Sequence, residues 1–101
     1  MANRQQTSEA VVTIRRKRWL LRFVSNLGRD AAGHRLWGDC DPPNKRGKTI
    51  RILRGLNPHD ELDTLIHEAL HAGSWDLSED SVNELARDIA RLLWRVGWRR
   101  E

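Results

Sequence analysis

Sulfur, tyrosine and long apolar runs are what this chain of 101 residues has least of. A single cysteine, Cys40, excludes an internal disulfide and a zinc knuckle built from several thiolates, so any metal must be held by imidazoles and carboxylates. It also fits a reducing compartment. The unbroken apolar runs are too short for a membrane span, and the first twenty residues lack the apolar stretch of a signal peptide. No membrane contact and a cytoplasmic location are the expectation. The length supports one domain, and 39% hydrophobic with 32% charged residues is the composition of a globular protein with a heavily charged exterior.

Lys and Arg number 18 against 14 Asp and Glu, a net charge of +4. The cations cluster as Arg15–Arg18, as Lys45, Arg46 and Lys48, and as Arg95, Arg99 and Arg100. Such clusters attract nucleic acid, but runs of like charge more often form a solvated face, so nucleic acid is not the favoured partner.

Residues 1–9 are polar and aperiodic and read as a flexible N-terminus, leaving 10–101 as the single domain. Ala10 to Ser25 is rich in β-branched and aromatic residues around the basic run, which predicts two short strands joined there or one long bent strand, in preference to a helix over 16–27. Gly28 to His34 reads as a loop, and Pro42 to Gly47 as a turn or open loop. Thr49 to Arg54 alternates in the manner of a half-buried strand, with Ile50 and Ile52 on one face. Asn57-Pro58 with Asp60 and Glu61 is a helix start, predicting a helix over 58–73 that stops at Gly73. Its expected core face is Leu62, Leu65, Ile66, Ala69 and Leu70, with Asp60, Thr64, His67 and His71 on another side. Ser78 caps a second helix, in which Val82, Leu85, Ala86, Ile89, Leu93 and Val96 recur at helical spacing up to Gly97. Trp75, Trp94 and Trp98 read as packing residues. The fold class is therefore α+β: a small twisted sheet of about three to four strands in the N-terminal half, packed on two C-terminal helices.

The first helix carries His67-Glu68-Ala69-Leu70-His71, an H-E-x-x-H motif. Residues four apart on a helix share a face one turn apart, so both imidazoles can reach a single ion, with Glu68 beside them to take a proton from the water that the metal activates. Catalytic zinc needs a third protein ligand. No histidine follows His71, and His59 lies two turns before His67, too far along the axis to converge. Carboxylates of the second helix remain. Counting 100° per residue puts Glu79 at the edge of the apolar face and turns Glu84 away, which favours Glu79. Glu84 keeps a claim because Asn83-Glu84 through Asp88 resembles the N-E-x-x-x-D segment of thermolysin-like enzymes; Asp76 and Asp80 stand in reserve. Asp63, four residues before His67, is a candidate hydrogen-bond partner for that ring. Asp39-Cys40-Asp41 reads as loop structure before a site.

With these residues the chain resembles the zincin-like metallopeptidases of Glu-zincin type, and in size the minimal phage or prophage proteins with a short H-E-x-x-H core. The resemblance covers about Lys48 to Gly97. It implies one Zn2+ held by His67, His71 and Glu79, Glu68 as general base, a protein or peptide substrate, and a strand at Thr49 to Arg54 acting as the edge to which substrate is added. Metzincins are excluded, because Ser74 and Leu77 occupy positions their motif assigns to Gly and His and Met1 is the only methionine; SprT-like proteins use a third histidine that is missing. Without tyrosine, the oxyanion must be steadied by His34, His59, an arginine or backbone N–H groups. The alternative is a non-catalytic, metal-containing protein of the same fold that binds nucleic acid or a protein through its basic surface.

Overall fold

A computed structural model describes residues 8–100. It is α+β: a mixed four-stranded sheet from the N-terminal half and two C-terminal helices. The expected flexible segment at residues 1–9 lies outside the described residues except at its end, where Glu9 opens the first strand.

Strands β1 (Glu9–Ile14) and β2 (Lys17–Val24) form an antiparallel hairpin, the first of the two arrangements that the basic run allows. Ile14 pairs with Lys17, so Arg15 and Arg16 alone make the turn, with φ of 48° and 69°. Two-residue hairpins need this left-handed pair to match strand twist, and Asn-Gly is the usual solution. Arginine at both positions is strained, and the strands must hold it there.

β3 (Gly38–Cys40) and β4 (Thr49–Leu53) complete the sheet in the order β1-β2-β4-β3, with β2 and β4 parallel and β3 antiparallel to β4. Two expectations fail at β4. It is an interior strand, not the edge, because the short segment after Trp37 adds outside it. It is also buried on both faces, not half-buried. Ile50 and Ile52 face the helices, joining Trp19, Phe23 and Ala72 in the core. On the opposite face Thr49 and Leu53 are covered as well, and Arg51 between them donates to Asp39 and Asp41. Trp19 has no solvent exposure and its indole N–H has no hydrogen-bond partner, so its place rests on packing.

Helix α1 (Pro58–Gly73) has the bounds that its capping residues predict. The Asn57 side chain accepts the Asp60 N–H at 2.9 Å, and Ser74 N–H closes the other end on Leu70 O at 2.8 Å. Helix α2 (Glu79–Arg95) starts at the predicted cap, with Ser78 Oγ accepting the Ser81 N–H. α1 packs on β1, β3 and β4, and α2 packs on α1 alone. The domain is thus three layers deep: sheet, α1, α2.

This layering corrects the expected core face of α1. Leu62, Leu65, Ile66, Ala69 and Leu70 are only half-buried, whereas Thr64, Glu68 and Ala72 are buried. A helix between two layers divides its apolar side chains between them: Leu65 packs against the sheet core, while the His59 ring meets Trp94 of α2 edge-on at 5.1 Å. The tryptophans are corrected too. Trp75, in the connection between the helices, and Trp98, past the end of α2, are 45% and 65% exposed, and neither is core. No helix among the described residues is long and apolar enough to cross a membrane.

Candidate metal centre

The site forms where α1, the start of α2 and β3 meet. One turn of α1 stacks His67 and His71 on a common face, with Nε2 atoms 3.2 Å apart. The connection from Gly73 to Ser78 folds back so that the first residue of α2, Glu79, reaches the same point. Its Oε1 lies 2.9 Å from His67 Nε2, and its Oε2 lies 3.0 Å from His71 Nε2. These three side chains form the group among the described residues that could hold a metal ion. A tetrahedral ion with bonds of about 2.0–2.1 Å sets its donors roughly 3.3 Å apart, close to this triangle. Two neutral imidazoles and a carboxylate are also a donor set that zinc takes, with a fourth position left over.

Glu84, Asp76 and Asp80 do not join the group, and Glu84 is exposed on α2. The helical count explains the outcome: Glu79 lies on the side of α2 that approaches α1, and five residues further on the side chain has turned away. Asp63 lines the cleft, yet no hydrogen bond joins it to His67 among the described residues. Asp60 instead bonds the cap residue Asn57.

Glu68 is the most deeply set of the polar groups here, at 6% exposure. Burial, then the charges of Asp39 and Glu79, push its carboxyl up to about 8. It leans on β3 at Gly38, where an added Cβ would lie 2.8 Å from Thr64 Cγ2 and 2.9 Å from Glu68 Cγ. Only glycine lets strand and helix approach this closely, and that contact fixes where Glu68 stands. Burial likewise lowers the His71 pKa, against the pull of Glu79. The Cys40 thiol is driven up to about 12 by burial and by Glu68, so it stays protonated and supplies no thiolate.

The three donors and Glu68 open into a cleft of about 740 Å³, walled by Arg35, Leu36 and Trp37 ahead of β3 and by Trp75, Leu77 and Asn83 opposite. Of the groups considered for an oxyanion, His34 pairs with Asp30 and His59 packs on Trp94, so neither lines the cleft; an arginine, Arg35, does. Gly38, Arg35, Trp37 and Asn83 were missed in the sequence. Nothing in their spacing marks them, since three precede α1 by twenty residues or more and reach it only through the sheet. Asp39 and Cys40 belong to β3, and Asp39 and Asp41 serve structure by binding Arg51.

No protein-family model, no curated protein and no solved structure matches this chain.

Proposed function

We propose that this protein is a small zinc-dependent peptidase of zincin-like type. The observation that carries this reading is the meeting of His67, His71 and Glu79 within 4.8 Å, at the floor of an open cleft, with Glu68 one residue along from a ligand. Zinc held there supplies Lewis acidity to a water molecule and to the substrate carbonyl. Glu68 takes the proton from the attacking water and returns it to the departing amine, so that one peptide bond and one water become a carboxylate and an amine. Its buried setting keeps competing water away, and Gly38 holds it in position. Arg35 is the arginine of the cleft available to face the developing oxyanion.

The edge for substrate is β3. Leu53 N–H donates to Trp37 O and Asp41 N–H to Thr49 O, so alternate residues 37, 39 and 41 bond towards β4. The N–H and C=O of Gly38 and Cys40 therefore point outwards, where an extended peptide can add as a fifth strand beside the cleft.

A purified sample should hold one zinc per chain. Glu79→Ala should weaken zinc binding at least about a hundredfold. Glu68→Gln should keep the zinc and slow hydrolysis of a protein substrate by about 10²–10⁴-fold. Absence of stoichiometric zinc, or an undiminished rate in Glu68→Gln, would overturn the reading.

One observation favours the second reading, a metal-stabilised binder of nucleic acid. The Leu20 N–H bonds Lys48 O, which sets the basic hairpin end at Arg15 to Arg18 beside Lys48 and the preceding loop with Lys45 and Arg46. That reading requires association that weakens steeply with salt and is indifferent to Glu68→Gln.

A further inference from the structure

Helix α2 shows an apolar stripe that the described residues leave largely in solvent, with Ile89 half-buried within it. Val82, Ala86 and Ala90 bury its inner face against α1. Leu85, Ile89, Leu92 and Val96 fall at spacings of four, three and four residues, within about 60° on the helix circumference, about a quarter turn from the inner face. Leu85 is 41% exposed, Leu92 62% and Val96 67%. Spacing of this kind is the seam of a helix pair, and single exposed leucines do not need explanation whereas a continuous seam does.

The charges beside the seam select its occupant. Along its outer margin lie Glu84 and Asp88 towards the N-terminal half, then Arg91 and Arg95 towards the C-terminal half. None of these four makes an ion pair among the described residues. The helix dipole accounts for charge in the first and last turns, hence for Glu79, Asp80 and Arg95, but not for Glu84, Asp88 and Arg91 in the middle. A parallel partner copy would set acid against acid and base against base. An antiparallel copy sets Glu84 and Asp88 of one α2 beside Arg91 and Arg95 of the other, while Leu85 meets Val96 and Ile89 meets Leu92 twice over.

We infer that α2 pairs with α2 of a second copy of this chain, antiparallel about a twofold axis, through Leu85, Ile89, Leu92 and Val96 with Asp88 and Arg95 in reciprocal ion pairs. The seam is about 16 Å long, which suits a reversible dimer rather than an obligate one. The inference is independent of the hydrolytic reading, because the metal site lies beyond the N-terminal end of the seam.

Sedimentation of the full chain at roughly 100 μM tests it, a concentration at which a micromolar dimer is well populated. The wild type should sediment as a dimer. Leu92→Glu changes a side chain already in solvent, so the monomer keeps its helical circular dichroism while the dimer dissociation constant rises at least about tenfold. Asp88→Arg and Arg95→Asp should each weaken the dimer, and the two together in one chain should restore it. A monomeric wild type, or a dimer indifferent to Leu92→Glu, overturns the pairing. Failure of the double exchange to recover what each single exchange loses overturns the antiparallel arrangement.

Discussion

Helix α1 buries Thr64, Glu68 and Ala72, whereas α2 buries Val82, Ala86 and Ala90 and turns Leu85, Leu92 and Val96 to solvent. The two helices are of similar length, 16 and 17 residues; their place in the layering is what differs. α1 is covered on both sides, by the sheet and by α2, and can carry a buried carboxyl, Glu68, whose desolvation no ion pair among the described residues offsets. α2 is an outer layer joined to α1 alone, and small side chains let it come close enough to deliver Glu79. The central helix therefore holds a buried carboxyl, while the outer helix brings Glu79 to His67 and His71 and leaves Leu85, Leu92 and Val96 in solvent.

The sharpest test sets the seat of α1 against the outer face of α2. Trp19 is wholly buried beneath α1, in contact with Ile50, Ile52 and Ala72. Trp19→Ala should cost about 3–5 kcal/mol in urea unfolding. Leu92→Ala, at dilute protein concentration, should stay within about 0.5 kcal/mol, as a surface substitution does. Comparable losses for the two would break the contrast.

A smaller effect probes how α2 is held. Ala86 has no solvent exposure and lies two turns after Glu79 on the same side of the helix. Ala86→Leu should push α2 off α1 at a cost of about 1–3 kcal/mol. It should also weaken zinc binding, because Glu79 moves with its helix while His67 and His71 stay. Leu85→Ala, at the neighbouring position, should leave zinc affinity unchanged. Isothermal titration of zinc into the two variants separates them.

How far the sequence reveals this arrangement depends on how local each cause is. The caps Asn57 and Ser78 are local, and each is legible; the hairpin is local too, but Arg15-Arg16 lacks the usual signal of a two-residue turn, so the sequence leaves one bent strand equally open. The meeting of His67, His71 and Glu79 was legible because helical phase within α1, and again within α2, restricts which residues can converge. The order of the strands was not legible. β3 is three residues long and without an alternating pattern, so nothing local says that it pairs outside β4 or that Gly38 abuts Glu68. The burial of Glu68 and the exposure of the α2 leucines were hidden for the same reason. Periodicity shows that a helix has an apolar face; it does not show how many layers share it.

The smallest expected effect concerns the sheet edge on which α1 and its Glu68 lean. Asp41 Oδ2 accepts the Thr49 N–H at 2.9 Å, and Asp41 Oδ1 receives the Arg51 guanidinium at 3.1 Å, tying the end of β3 to β4. Burial alone would raise the Asp41 pKa, but the bonds from Arg51 and Thr49 and the nearby charges of Arg51 and Lys45 outweigh it, and the folded value lies below 3.8. A carboxyl with a depressed folded pKa stabilises fully above its unfolded value and loses that contribution as pH falls through the folded one. Asp41→Asn should therefore cost about 1–2 kcal/mol at neutral pH. The gap from wild type should hold down to about pH 4 and close below it, as Asp41 of the wild type itself becomes protonated. Urea unfolding of both proteins across that range reads the gap directly. A deficit in Asp41→Asn that persisted unchanged to the most acidic pH would mean that side-chain shape, not charge, fastens β3 to the sheet.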